Sequence, residues 1–316
     1  MKQILILSLL FLFCLNTFGQ QEPLYSQYNN NHFLINPAAA GRTEHAELRL
    51  THRTMFSFAF PGAPKTSTLT LHGRFKKIGL GLMAFSDVTG PTSRMGAQFS
   101  YAFHMNLWGD YDLSLGLAGK LLRYQLDLDR ITLVNVGDDA INQVKDGVTQ
   151  ADASFGAYLS DGKMYVGLSA PNLIQTKLDF GIETPEGLPI SRLYRHYFVV
   201  AGYRLKFGTI GIEPSMMLKK VQAVPFQFDV NLKASFMNDV LTVGAAYRNI
   251  NAMNLMFGVC IEERFHVMYS MDFGIGKPKT LASPVNTSSE IIVGIDIYRK
   301  NRQSKNLKEW DTMEEE

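Results

Sequence analysis

From about Glu44 onward the chain alternates apolar and polar residues with a period of two, in run after run. Such a period belongs to extended strands with one face toward lipid or core and the other toward polar surroundings. The clearest run is PFQFDVNLKASF. Phe226, Phe228, Val230, Leu232, Ala234 and Phe236 fall on one face, and Gln227, Asp229, Asn231, Lys233 and Ser235 on the other. A slip of one residue would exchange the faces, so the pattern fixes orientation strongly. The runs FHVMYSMDFG, ADASFGAYLS and YDLSLGLAGK repeat the alternation.

Division at turn signals predicts about fourteen strands. They fall near 44–53, 65–75, 77–86, 92–105, 111–126, 149–160, 163–170, 193–207, 209–219, 225–236, 239–248, 252–262, 265–275 and 289–299. Most are about ten residues or longer, whereas soluble strands average about five or six and a tilted membrane strand needs about 9–11. Strand length therefore favours a membrane barrel over a soluble sandwich.

The connections supply a second test. Short turns follow the even strands, at Lys76-Lys77, Asn106–Asp110, Asp161-Gly162, Gly208, Met237-Asn238 and Glu263-Arg264. The long connections, Thr54–Pro64, Asp127–Val148, Pro171–Arg192 and Gly276–Ser288, follow odd strands. Outer-membrane barrels have an even strand number, short periplasmic turns and longer extracellular loops. The expected fold is an all-β transmembrane antiparallel barrel over 44–299, with both chain ends on the periplasmic side. Apolar-out packing then places Asp229, Lys233, Asp272 and Asp296 in the lumen. Aromatic residues near strand ends, among them Tyr101, Trp108, Tyr197, Phe207, Tyr247 and Tyr298, suit headgroup-level girdles or ordinary strand propensity.

Residues 1–19 read as a signal peptide. Lys2 precedes an apolar run, Ile4–Leu15, too short to span a bilayer, and Thr17 and Gly19 are the small residues before a cut. Cleavage after Gly19 removes Cys14, and bulky Phe13 argues against a lipoprotein box. Cys260 remains as a lone thiol, read as a packing residue. No other apolar run approaches 18 residues. Net charge is +2, which gives no reason to expect a nucleic-acid partner. Charged residues are 19%, below the usual value of about 25%. Residues 300–316 are polar, basic at first and acidic at the end, and read as a periplasmic tail.

Chemistry is hard to find in the spacing. The seven histidines form no HExxH or Cys/His pattern, and no metal or cofactor is expected. Ser160-Asp161-Gly162-Lys163 matches S-x-x-K but sits at a predicted hairpin, where Asp-Gly is the turn pair. Asp127, Asp129 and Asp138-Asp139 share one long loop, read as solvated rather than as a calcium site. The chain is expected not to be an enzyme, although a Ser/His/Asp set formed only in three dimensions stays open.

Between leader and first strand lies YSQYNNNHFLINPAAAG, Tyr25–Gly41. Pro23, Ser26, Gln27, Tyr28, Ile35, Asn36, Pro37, Ala38, Ala39, Ala40 and Gly41, with a barrel behind them and a closing strand SSEIIVGIDIY, resemble the PorP/SprF family of type IX secretion system membrane proteins of Bacteroidetes. Asn29–Asn31 depart slightly from the more apolar residues often found after the Tyr. The resemblance implies a non-catalytic outer-membrane protein. It would support export or surface anchoring of clients such as gliding adhesins, in contact with other type IX components and outer-membrane lipid.

Residues 20–43 are then expected to form an ordered periplasmic or plug segment rather than a leader remnant, because remnants rarely carry so many aromatics and aliphatics. Tyr25, Tyr28, Phe33, Leu34 and Ile35 would anchor it at the periplasmic mouth or inside the barrel. Ser26, Gln27, Asn36, Pro37 and Gly41 complete the partner or plug motif, with Asn side chains capping backbone locally. The alternative is an outer-membrane channel for small hydrophobic solutes, plugged by the same segment.

Overall fold

The computed structural model describes residues 25–55, 62–127, 147–183, 189–222, 224–249, 252–275 and 287–298. The signal peptide with its cleavage site, Pro23, Asp129, Asp138-Asp139 and the tail 300–316 lie outside the described residues.

The strands are β1 (Ala46–Thr54), β2 (Lys65–Phe75), β3 (Ile78–Thr89), β4 (Thr92–Asn106), β5 (Asp112–Leu126), β6 (Gly147–Ser160) and β7 (Met164–Ala170). They continue with β8 (Lys177–Glu183), β9 (Pro189–Arg192), β10 (His196–Tyr203), β11 (Leu205–Phe207) and β12 (Ile210–Val221). The last five are β13 (Gln227–Phe236), β14 (Leu241–Arg248), β15 (Ala252–Ile261), β16 (Phe265–Gly274) and β17 (Ser288–Ile297). Each barrel strand pairs antiparallel with its neighbours in sequence. β10 bridges β7 and β12, and β11 continues it past Arg204. β1 pairs with β17, Ala46 opposite Ile297 through Thr54 opposite Ser289, and closes the sheet. Counting β10 and β11 as one stave, this is a closed barrel of fourteen strands.

The boundaries follow the alternation closely. The main difference lies in the connection after β7, expected as plain loop, which contains the hairpin β8–β9 standing apart from the barrel sheet. β9 has only four residues, too few for an alternation to register. β3 also runs to Thr89, so its turn to β4 is only Gly90-Pro91, with Gly90 at φ +56°.

Closure explains the inverted distribution of residue types. The outer face is apolar and exposed, as at Leu82, Phe99, Leu117, Leu121, Leu232 and Leu255. The inner face is polar and buried, as at Glu47, Arg49, Thr51 and Arg53 of β1, Asp272 of β16 and Glu290 of β17. A sheet in hydrocarbon must satisfy every backbone group internally, which a closed barrel does, and must offer lipid an apolar surface. The start of β1 and the end of β17 lie at the end that carries the short turns.

Candidate functional site: the segment in the lumen

Residues 25–41 lie inside the barrel. They form two single 3-10 turns, His32–Leu34 and Pro37–Ala39, joined by irregular chain. Tyr28, Phe33, Ala38 and Ala40 are at most 1% exposed. Contacts reach strands all round the wall. Tyr25 Oη is 2.8 Å from Thr68 Oγ1 on β2. Asn231 of β13 donates to Tyr28 Oη. His32 Nδ1 is 2.9 Å from Tyr158 Oη on β6.

The upper end of the segment is held by charge. Arg53 donates from Nη1 to Ser26 Oγ at 2.7 Å and to Glu290 Oε2 at 3.1 Å, and from Nη2 to Asp272 Oδ2 at 2.5 Å. Glu290 accepts the backbone N–H groups of Ser26 at 2.7 Å and Gln27 at 3.0 Å. The Gln27 amide donates to the Glu290 carbonyl at 2.9 Å. Ser26 Oγ also bonds Asp272, which accepts from Asn254 at 2.7 Å. One cation thus faces two carboxylates, and the segment and Asn254 of β15 donate to their other acceptor positions. A buried charge is tolerated only when paired and hydrogen-bonded in this way.

The lower half rests on a floor without side chains. Asn36 accepts the Ala38 N–H through Oδ1 at 2.9 Å, as an N-cap, and donates from Nδ2 to the carbonyls of Ala157 and Leu168, each at 3.1 Å. Ser169 Oγ donates to the Ile35 carbonyl at 2.6 Å. Beneath these atoms four inward positions on three strands, β3, β5 and β6, are glycine. A Cβ on Gly116 would enter the backbone of Pro37 and Ala38, one on Gly156 would meet Asn36 Oδ1, one on Gly79 the Ala40 carbonyl, and one on Gly81 the Phe33 ring. Gly41 closes the segment at φ +68°, with the Gly73 carbonyl 2.8 Å from where its Cβ would stand, so both conformation and space demand glycine.

Every proposed motif residue lies in this unit. Tyr25, Ser26, Gln27, Tyr28, Phe33, Asn36, Pro37 and Gly41 are buried, and Ile35 is half-buried against the apolar cluster. Their placement differs from a segment that starts in the periplasm. Tyr25–Gln27 meet Arg53 and Glu290 at the loop end of β1 and β17, and the chain descends to reach β1 at the turn end. The reason is the partner set: Arg53, Asp272 and Glu290 sit where the strands meet the long loops. Sequence reasoning had Asp272 in the lumen and the Glu-bearing closing strand, but missed Arg53 and the glycine floor. The signal was present, since Glu47, Arg49, Thr51 and Arg53 form one polar face of β1, and Gly79 and Gly81 one face of β3.

A Ser/His pair does form. His104 Nδ1 lies 2.6 Å from Ser114 Oγ, and Asp112 is 3.7 Å from the same nitrogen. His104 Nε2 bonds the Ala40 carbonyl at 2.9 Å, and Ser114 is buried under the segment. The group therefore ties the segment to the β4–β5 hairpin. Among the described residues no cluster of His, Cys, Asp and Glu could hold a metal.

Two spaces flank the segment. A cavity of ≈ 30 Å³ lies between Phe33, Leu34 and Ile35 and the β3–β6 wall. Above it, Leu178 and Leu193 of the connection after β7 pack on Phe85, Leu122 and Tyr124 inside the rim. A larger cavity of ≈ 260 Å³ opens beside the β6–β7 and β13–β14 turns, with Asn29, Asn30 and His32 as its ceiling.

A family model described as type IX secretion system membrane protein PorP/SprF matches residues 17–295. No curated protein sequence matches significantly. Among solved structures, the CymD monoaromatic hydrocarbon channel is similar at 13% identity and TM-score 0.50, over 88% of this chain and 94% of that one. Lower scores come from the Acinetobacter baumannii outer membrane protein Omp33 (8% identity, TM-score 0.47, 80% and 98% coverage) and the P. putida toluene transporter TodX (8%, 0.46, 85% and 94%). CymD shares the barrel fold with this chain.

Proposed function

The chain belongs to the PorP/SprF family of type IX secretion system membrane proteins, and from that premise we propose that it supports export or surface anchoring of client proteins, gliding adhesins among them, by protein–protein contact and without catalysis. It is an outer-membrane component of that secretion system. The observation that carries the proposal is the filled lumen. Residues 25–41 are bonded to β1, β2, β6, β7, β13, β16 and β17, so the barrel offers partners its two rims rather than a path through its middle. Periplasmic components of the system would meet the turn end and the tail 300–316. A client would meet the long loops and the β8–β9 hairpin, since loops on a rigid scaffold commonly carry recognition.

Affinity purification of the detergent-solubilised barrel from its native host tests this. Recovery of type IX components, or of a large surface protein with a type IX C-terminal signal, is the expected result. A barrel that purifies alone and conducts in planar bilayers would overturn it in favour of a channel.

A further inference from the structure

The ≈ 260 Å³ cavity at the turn end is charged, and its charges are unevenly satisfied. Its carboxylates are all engaged: Glu213 with Lys233 at 3.0 Å, Asp239 with Arg204 at 2.7 Å, Asp296 with His266 at 2.8 Å and with Arg49, and Glu47 with Thr43 at 2.7 Å and Arg49 at 3.4 Å. Arg42 is different. It is an exposed residue that takes part in no ion pair among the described residues; its guanidinium stands 6.0 Å over the Tyr158 ring, and the Glu47 and Glu213 carboxylates act on it only from beyond ion-pair distance. The ceiling holds polar groups in the same condition. Asn29 is 4% exposed with neither its amide nitrogen nor its oxygen bonded, and buried His32 has no partner at Nε2. The Tyr158 hydroxyl, on the ring that Arg42 overlies, is 2.9 Å from His32 Nδ1. With Nδ1 turned to that hydroxyl, Nε2 is the ring nitrogen of His32 left without a partner at the cavity.

We propose that this cavity is a receptor for an acidic peptide segment on the periplasmic side, with Arg42 pairing a carboxylate and Asn29 and His32 bonding the polar groups beside it. A ligand that bonds the Asn29 amide and His32 Nε2 satisfies buried polar groups that otherwise have no partner. Volume sets the ligand class. Pockets for drug-sized molecules hold about 300–1,000 Å³, so this one accepts a side chain and its adjoining peptide group. One source is close. Tyr298, after the last strand, packs its ring 4.8 Å from His45 on the cavity wall. The sequence beyond includes Glu309, Asp311, Glu314, Glu315 and Glu316, and at about 3.3 Å per extended residue these can reach it. This tail is the occupant the proposal names, and an acidic segment of a periplasmic partner is the outcome that would replace it. The proposal is independent of which client the barrel serves.

The test uses a labelled peptide of sequence EWDTMEEE and its Gln/Asn counterpart, titrated by fluorescence anisotropy into the detergent-solubilised barrel. Four forms are compared: the full chain and a form lacking 300–316, each with and without Arg42→Gln. The acidic peptide should bind, the neutral one should not, and Arg42→Gln should weaken binding about tenfold or more. Binding confined to the shortened form names the chain's own tail as occupant, and equal binding to both names a partner. Asn29→Ala should also weaken binding, which separates the cavity from a general charge effect. Absent binding, or binding indifferent to Arg42→Gln in barrels that keep heat-modifiable gel mobility, overturns the proposal.

Discussion

Arg53 and Glu290 are direct cross-strand partners on β1 and β17, the two strands whose pairing closes the barrel, and Arg53 Nη1 lies 3.1 Å from Glu290 Oε2. The same carboxylate receives the N–H groups of Ser26 and Gln27. Barrel closure and segment docking therefore meet at one ion pair.

Arg53→Met should be severe. It leaves Glu290 and Asp272 buried without their cation, a loss of about 3–5 kcal/mol. Replacing both members of an isolated buried pair by apolar residues is often neutral, but here Arg53→Met with Glu290→Leu should not recover stability. Two backbone N–H groups would still lack an acceptor. Thermal unfolding in detergent, followed with protease sensitivity near residue 26, checks both variants, and full recovery in the double variant would refute the shared role.

Gly116 and Gly119 lie on the same strand and make a matched pair. A Cβ at 116 enters the Pro37–Ala38 backbone, whereas one at 119 meets nothing within 4 Å. Gly116→Val should expel the segment at a cost of about 1–3 kcal/mol or more, and Gly119→Val should be nearly silent. Cysteine labelling at position 38 in each background reads the difference. Ion conductance should rise in the Gly116 variant alone.

Asn36→Asp should be worse than Asn36→Ala. Aspartate keeps the cap to Ala38 N–H but has no donor for the Ala157 and Leu168 carbonyls, and it places a charge among them. Alanine costs about 1 kcal/mol for the cap and about 1–3 kcal/mol for orphaned polar groups. Melting temperatures of the two variants should fall in that order.

Burial, assisted by nearby Arg42 and Lys233, holds the His32 imidazole well below its ordinary value near 6.5. The unfolded chain therefore binds a proton that the folded chain refuses. The stabilisation is complete above about pH 6.5 and declines as pH falls below it, by up to about 1.4 kcal/mol per unit. Segment protection should weaken from pH 7 to pH 5 in the wild type and less so in His32→Gln. Equal pH profiles would remove His32 from the account.

The strands were legible because alternation is a local property. A barrel facing lipid on one side must write its orientation into every second residue, as Phe226–Phe236 does, and strand length then separated membrane from soluble β-structure. The segment 25–41 could be singled out for its composition and motif, but not placed. It has no period, and its bonds join residues far apart in sequence: Ser26 to Glu290, Asn36 to Leu168, Tyr28 to Asn231. Sequence by itself determined an outer-membrane barrel of fourteen strands and marked the residues that matter before it. Only the tertiary structure decided that those residues descend through the lumen from the loop end to the turn end. Closing the sheet brings Arg53 beside Glu290 and turns isolated inward glycines into one floor, and no local pattern carries that information.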